Sequence, residues 1–150
     1  MPALVAFVHH LAAFTLVAAV ALEFALTRGE LTAANARRLV AADAVLGASA
    51  AVLLVAGLLR VFFLEKGGGY YLGNGAFLLK LALFVALGLA SIYPTREFLS
   101  WRRALREGRA PTPEPRRMAR VRAILHGELG GIVVILLCAA LMARGIGNFG

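Results

Sequence analysis

Five charged side chains, Glu23, Asp43, Arg60, Lys80 and Glu128, each interrupt a long apolar run. A charge at the centre of a membrane helix costs about 2.5–3.5 kcal/mol on insertion scales, so five of them point to an intramembrane site where something is bound or moved. Three histidines lie in the same runs: His9, His10 and His126. The chemistries on offer are metal or haem ligation by imidazole and proton transfer between carboxylates and imidazole.

The elements that must position these groups are membrane helices. Hydrophobic residues make up 61% of the 150-residue chain, and its mean hydropathy is +0.81. Apolar stretches cover Pro2–Leu26, Leu39–Leu64, Ala76–Tyr93 and Ala123–Ala143. Each is near the ~20 residues that cross the hydrocarbon core. Backbone groups in lipid must be satisfied within a segment, so the spans are helices. The expected fold is all-α, a single-domain antiparallel four-helix bundle. The first stretch has no basic lead-in and carries Glu23, which argues against a signal peptide. One cysteine, Cys138, allows neither an internal disulfide nor a C-x-x-C-H haem attachment.

The net charge of +8 is placed asymmetrically. Twelve arginines flank the first and third loops; Arg60, Lys66 and Arg144 lie at the other side. The positive-inside rule makes the arginine-rich loops cytoplasmic and both termini periplasmic. The basic loop reads as a topology signal bound to anionic lipid headgroups, and no nucleic-acid partner is expected. Residues 95–120 are expected as a basic amphipathic segment and linker. Phe98, Trp101 and Leu105 share one helical face, set to lie at the cytoplasmic interface, and APTPEP is a proline-rich linker. The loop GGGYYLGNG lacks G-K-[ST] and is no phosphate loop; Tyr70 and Tyr71 suit an interfacial aromatic belt.

Counting depth along the spans sorts the polar groups by sign. His9, His10, Arg60, Lys80 and Arg144 fall in the outer half; Glu23, Asp43, Tyr93, His126 and Glu128 fall in the inner half. At ~100° per residue His9 lies within about 40° of Glu23, whereas His10 is ~140° away. Arg122, His126, Gly130, Val133, Leu137 and Arg144 share a face, with Glu128 ~200° from His126. Lys80, Phe84, Leu87 and Ser91 share another. His9 or His10 would ligate haem iron, and Arg60, Lys66, Lys80 and Arg144 would pair with propionates. Glu23, Asp43 and His126 would form a proton path; the alternative pairs Asp43 or Glu23 with arginines of the neighbouring loops.

The segments HHLAAF, GLLRVFFLEKGGGYY, FLLKLALF, SIYPT and LMARGIG, with Glu23 and Asp43, resemble a family of small bacterial inner-membrane proteins of unknown function. That family is distantly similar to the J-type protoporphyrinogen oxidase, which binds haem b, and to the copper-resistance D-type membrane domain. His9 or His10 and Lys80 match the oxidase's early first-helix histidine and third-helix lysine. The oxidase's tryptophan and A-G-L are missing; Leu16, Val17 and Ala18 stand there. The resemblance implies a haem b or porphyrin-binding inner-membrane protein, a haem-dependent oxidoreductase coupling electron transfer or porphyrin oxidation to protons, with a porphyrin or redox partner. The alternatives are a proton-coupled small-molecule carrier using Glu23, as in small four-helix multidrug carriers, and a non-catalytic assembly subunit. A homodimer is compatible with so short a bundle.

Overall fold

The computed structural model describes residues 2–64 and 68–146. Lys66 and the side chain of Tyr70, both given roles above, lie outside the described residues. The long helices are α1 (Pro2–Arg28), α2 (Ala33–Leu59), α4 (Gly75–Ser100) and α6 (Pro115–Ala143). Four segments are long and apolar enough to cross a membrane: Pro2–Arg28, Ala33–Leu64, Gly75–Arg106 and Pro115–Ala143. A π-helical turn, Arg60–Leu64, prolongs α2, and two short helices, α3 (Gly68–Leu72) and α5 (Arg102–Arg106), sit at opposite ends.

Local sequence explains the helix ends. Thr32 and Asn74 cap α2 and α4, their side-chain oxygens accepting the backbone N–H of Asn35 at 3.1 Å and of Phe77 at 3.0 Å. Proline opens α6 at a position where its missing N–H costs nothing. Gly108 and Gly145, with φ of 73° and 74°, close α5 and α6. There the following N–H reaches back to Ala104 O at 2.9 Å and to Leu141 O at 3.1 Å, the pairing of a Schellman motif.

The long helices form a ring. α1 packs on α2 and α6, and α4 packs on α6 and α2; the hairpin-like pairs α1–α2 and α4–α6 make the most extensive contacts. Small residues set the close approaches. A Cβ at Gly131 of α6 would lie 2.7 Å from Leu87 Cδ1 of α4, and one at Gly57 of α2 would lie 3.2 Å from His9 Cε1 of α1.

Three apolar layers stack along the ring. At the arginine-rich end Ala36, Leu39, Phe98, Trp101, Leu105, Met118, Val121 and Leu125 form the largest. Ala19, Val20, Leu46 and Ile132 form the middle one. Val61, Tyr71 and Phe77 form the third, at the end holding the termini.

The helix that carries the third span is not broken by Pro94: α4 runs through it to Ser100. Proline removes one backbone bond, and a helix tolerates that where its neighbours hold both sides; Pro94 is buried, as are Glu97 and Phe98 beyond it. The shared face of Phe98, Trp101 and Leu105 packs into the bundle. The helical phase was legible, whereas the surface it meets depended on the return of α6.

Candidate functional site: a buried carboxylate layer

Between the middle layer and the arginine-rich layer lies a ring of polar groups, one set from each long helix. Glu23 comes from α1, Asp43 from α2, Ser91 and Thr95 from α4, and Glu128 from α6. The placement follows from helical spacing. Glu23 is one turn from Ala19 and Val20, Asp43 is one turn from Leu46, and Glu128 is one turn from Ile132, all in the middle layer. In the other direction Asp43 follows Leu39 by one turn, Glu128 follows Leu125, and Thr95 precedes Phe98. Each acid is therefore carried inside by apolar residues on the same face.

The three carboxylates are almost wholly withdrawn from solvent: Glu23 is 0% exposed, Glu128 3% and Asp43 7%. Thr95 Oγ1 donates to Asp43 Oδ1 at 2.7 Å, and Ser91 Oγ donates to Glu128 Oε1. Among the described residues neither oxygen of Glu23 has a hydrogen-bond partner, and neither does Glu128 Oε2. The charged groups within electrostatic reach of Glu23 are Asp43 and Glu128, both acidic. The alternative in which arginines pair with Glu23 or Asp43 is not realised: Asp43 is held by Thr95, and Glu23 is unpartnered. Among the described residues no three His, Cys, Asp or Glu side chains converge closely enough to hold one metal ion.

Other expected members lie elsewhere. His126 is not in this layer: it is exposed on the outer face of α6, its ring 5.8 Å from that of Phe24. Arg122, Gly130, Val133 and Leu137 are exposed with it, so the shared face drawn from the sequence lies outside the carboxylate layer, leaving Glu128 inside. Tyr93 is half-buried, with the Arg120 guanidinium 5.2 Å from its ring centroid.

At the far end His9 is half-buried and faces Gly57. Arg60 and Lys80 are within electrostatic range of it. Lys80 Nζ also lies 5.5 Å from the Phe77 ring centroid. His10 is exposed, and its Nδ1 is 2.6 Å from Ala6 O. Arg144 is exposed at the end of α6. A Cβ added at Gly57 would lie 3.5 Å from His9 Nδ1, so α1 and α2 approach closely at this imidazole. His10 and Arg144 point outward.

A family model described as a predicted membrane protein (DUF2214) matches residues 1–147. The chain belongs to that family. No curated protein and no solved structure matches the chain, so the similarity to J-type protoporphyrinogen oxidase and to copper-resistance D-type domains gains no support from these comparisons. Membership accords with the four apolar helices and leaves the chemistry to be argued from the side chains.

The proton path drawn from the sequence left out three members of the layer: Glu128, Ser91 and Thr95. The signals were present. Glu128 is the one acid in the last span, Ser91 shares the Lys80–Phe84–Leu87 face, and Thr95 follows Pro94 where the third span was expected to end.

Proposed function

We propose that this chain is a proton-coupled membrane carrier whose proton site is the layer of Glu23, Asp43 and Glu128, with Thr95 and Ser91 as fixed hydroxyl donors. The observation that carries this reading is Glu23: fully buried, unpartnered at both oxygens, and facing two further carboxylates. Among the described residues no cation faces these three carboxylates, and three like charges buried together cannot all persist. The positive charge that offsets them is assigned to protons, because the side chains do not converge on a metal. A carboxyl that must exchange its proton gains from having no fixed partner, since any strong bond would favour one protonation state. Asp43 and Glu128, each tied to a hydroxyl, keep their geometry while the proton count changes.

In this reading the arginine-rich end is cytoplasmic and both termini are periplasmic, in a bacterial inner membrane. Support comes from the exposure of Arg28, Arg37, Arg38, Arg96, Arg102, Arg103, Arg106, Arg116 and Arg120 at one end of the ring.

The test uses proteoliposomes with a trapped pH-sensitive dye and an imposed potassium diffusion potential. The wild-type chain is expected to conduct protons faster than empty vesicles, and Glu23→Gln, nearly isosteric, is expected to fall to the empty-vesicle rate. Equal rates for wild type and empty vesicles would sink the carrier reading. The haem reading has its own check in the oxidised and dithionite-reduced absorption spectra. A Soret band lost in His9→Ala would restore it.

A further inference from the structure

The carboxylate layer needs a route to water, and the helices on either side differ in what they offer. Towards the termini the next turn is apolar on all four: Ala19 and Val20, Leu46, Leu87, and Ile132. Towards the arginine-rich end it is apolar on three: Leu39 on α2, Phe98 on α4 and Leu125 on α6, each 0% exposed. On α1 that turn brings Thr27, four residues after Glu23 and on the same face. Thr27 is 3% exposed. Its hydroxyl donates to Phe24 O at 2.9 Å, which leaves the oxygen's lone pairs as acceptors.

Directly outside Thr27 is a cavity of about 200 Å³, walled by Thr27, Gly29, Leu31, Pro111, Pro113 and Arg122 among others. At about 30 Å³ per molecule it has room for several waters. Arg122 closes one side, its Nη1 donating to Thr27 O at 3.3 Å. A second cavity, of about 380 Å³, shares the walls Pro111 and Pro113 and reaches Glu97 and Trp101. The segment 110–114 therefore lies across both. It is held at its ends: Arg109 donates to Glu107, whose carboxyl this bond and Arg103 keep below the usual carboxylate range, and Arg117 pairs with buried Glu97 at 3.6 Å.

We infer that the cavity beneath Thr27 is the aqueous port through which the carboxylate layer exchanges protons with the arginine-rich side, with Thr27 as the positioning residue and the proline segment as its cover. Thr27 holds a water by its lone pairs. A proton passes from that water to the Glu23 carboxylate, and the water regains one from the cavity; the reverse order releases it. Arg122, bonded to Thr27 O, fixes the wall of the cavity beside this water. The inference rests on the proton-site reading for its role, but the port itself is measurable without any flux.

The test is sided cysteine labelling in the full chain carrying Cys138→Ser. Thr27→Cys is expected to react with a small membrane-impermeant methanethiosulfonate added from the arginine-rich side and not from the other. Leu46→Cys, in the apolar layer, is expected to react from neither. Pro111→Ala combined with Pro113→Ala is expected to speed labelling of Thr27→Cys several-fold. If Thr27→Cys does not fold, Leu31→Cys, on the wall of the same cavity, takes its place. No labelling from either side, or labelling from the terminal side, overturns the port. In the proteoliposome assay Thr27→Val is expected to slow proton flux at least tenfold while Thr27→Ser keeps it within about twofold. Equal rates for Thr27→Val and wild type overturn the positioning role. If wild-type flux is absent but sided labelling is seen, the proton-site reading fails and the port stands.

Discussion

Glu23→Met is expected to raise thermal stability in detergent while abolishing proton flux. Glu23 is 0% exposed, and neither of its oxygens has a hydrogen-bond partner among the described residues. A buried polar group left unsatisfied costs about 1–3 kcal/mol, and replacing it by an apolar side chain of similar length removes that cost without opening a cavity. Residues retained at the expense of stability mark function. The comparison is Thr95→Val, which deletes the 2.7 Å bond to Asp43 Oδ1 and is expected to lose about 1–3 kcal/mol, because it leaves a buried carboxylate oxygen without its donor. Opposite signs for two substitutions in one layer would separate the group that exchanges protons from the group that holds it. A melting temperature lowered by Glu23→Met would show that the acid is structural.

Phe98→Ala is expected to be the most destabilising single truncation, by about 3–5 kcal/mol. Phe98 is 0% exposed and its ring centroid lies 5.1 Å from that of Trp101. The surrounding layer joins α2, α4, α5 and α6, and it sits among exposed arginines, where burial from water still drives packing as it does in a soluble core. Phe14 and Phe63, 74% and 78% exposed, are the controls. Truncating either is expected to change detergent stability by less than about 0.5 kcal/mol. Titration of helicity against sodium dodecyl sulfate measures all three.

The sequence disclosed more of the helices than of their facing. Four spans follow from hydropathy because lipid forces backbone groups to pair within a segment. Shared faces follow from 3.6-residue periodicity, and those of His9 with Glu23 and of Lys80 with Ser91 are present in the structure. Which face turns inward is a different matter where both sides of a span are apolar. In α6 the face of His126 and the face of Glu128 are equally plausible from spacing, and only packing against α1 and α4 decides for Glu128. The ring order explains the rest. Ser91 meets Glu128 because α4 neighbours α6, and Thr95 meets Asp43 because α4 also touches α2. Neither pairing is local in sequence, so neither could be read from it.

The central claim is that protons occupy the carboxylate layer and exchange there. Infrared difference spectroscopy of the purified protein between acid and alkaline buffer tests this most directly, because a protonated carboxyl has a carbonyl band that an ionised one lacks. The account predicts a pH-dependent carboxyl band in a dry environment that disappears in Glu23→Gln and shifts in Asp43→Asn and Glu128→Gln through the loss of a neighbouring charge. A spectrum whose pH-dependent carboxyl bands are the same in wild type and Glu23→Gln would contradict it.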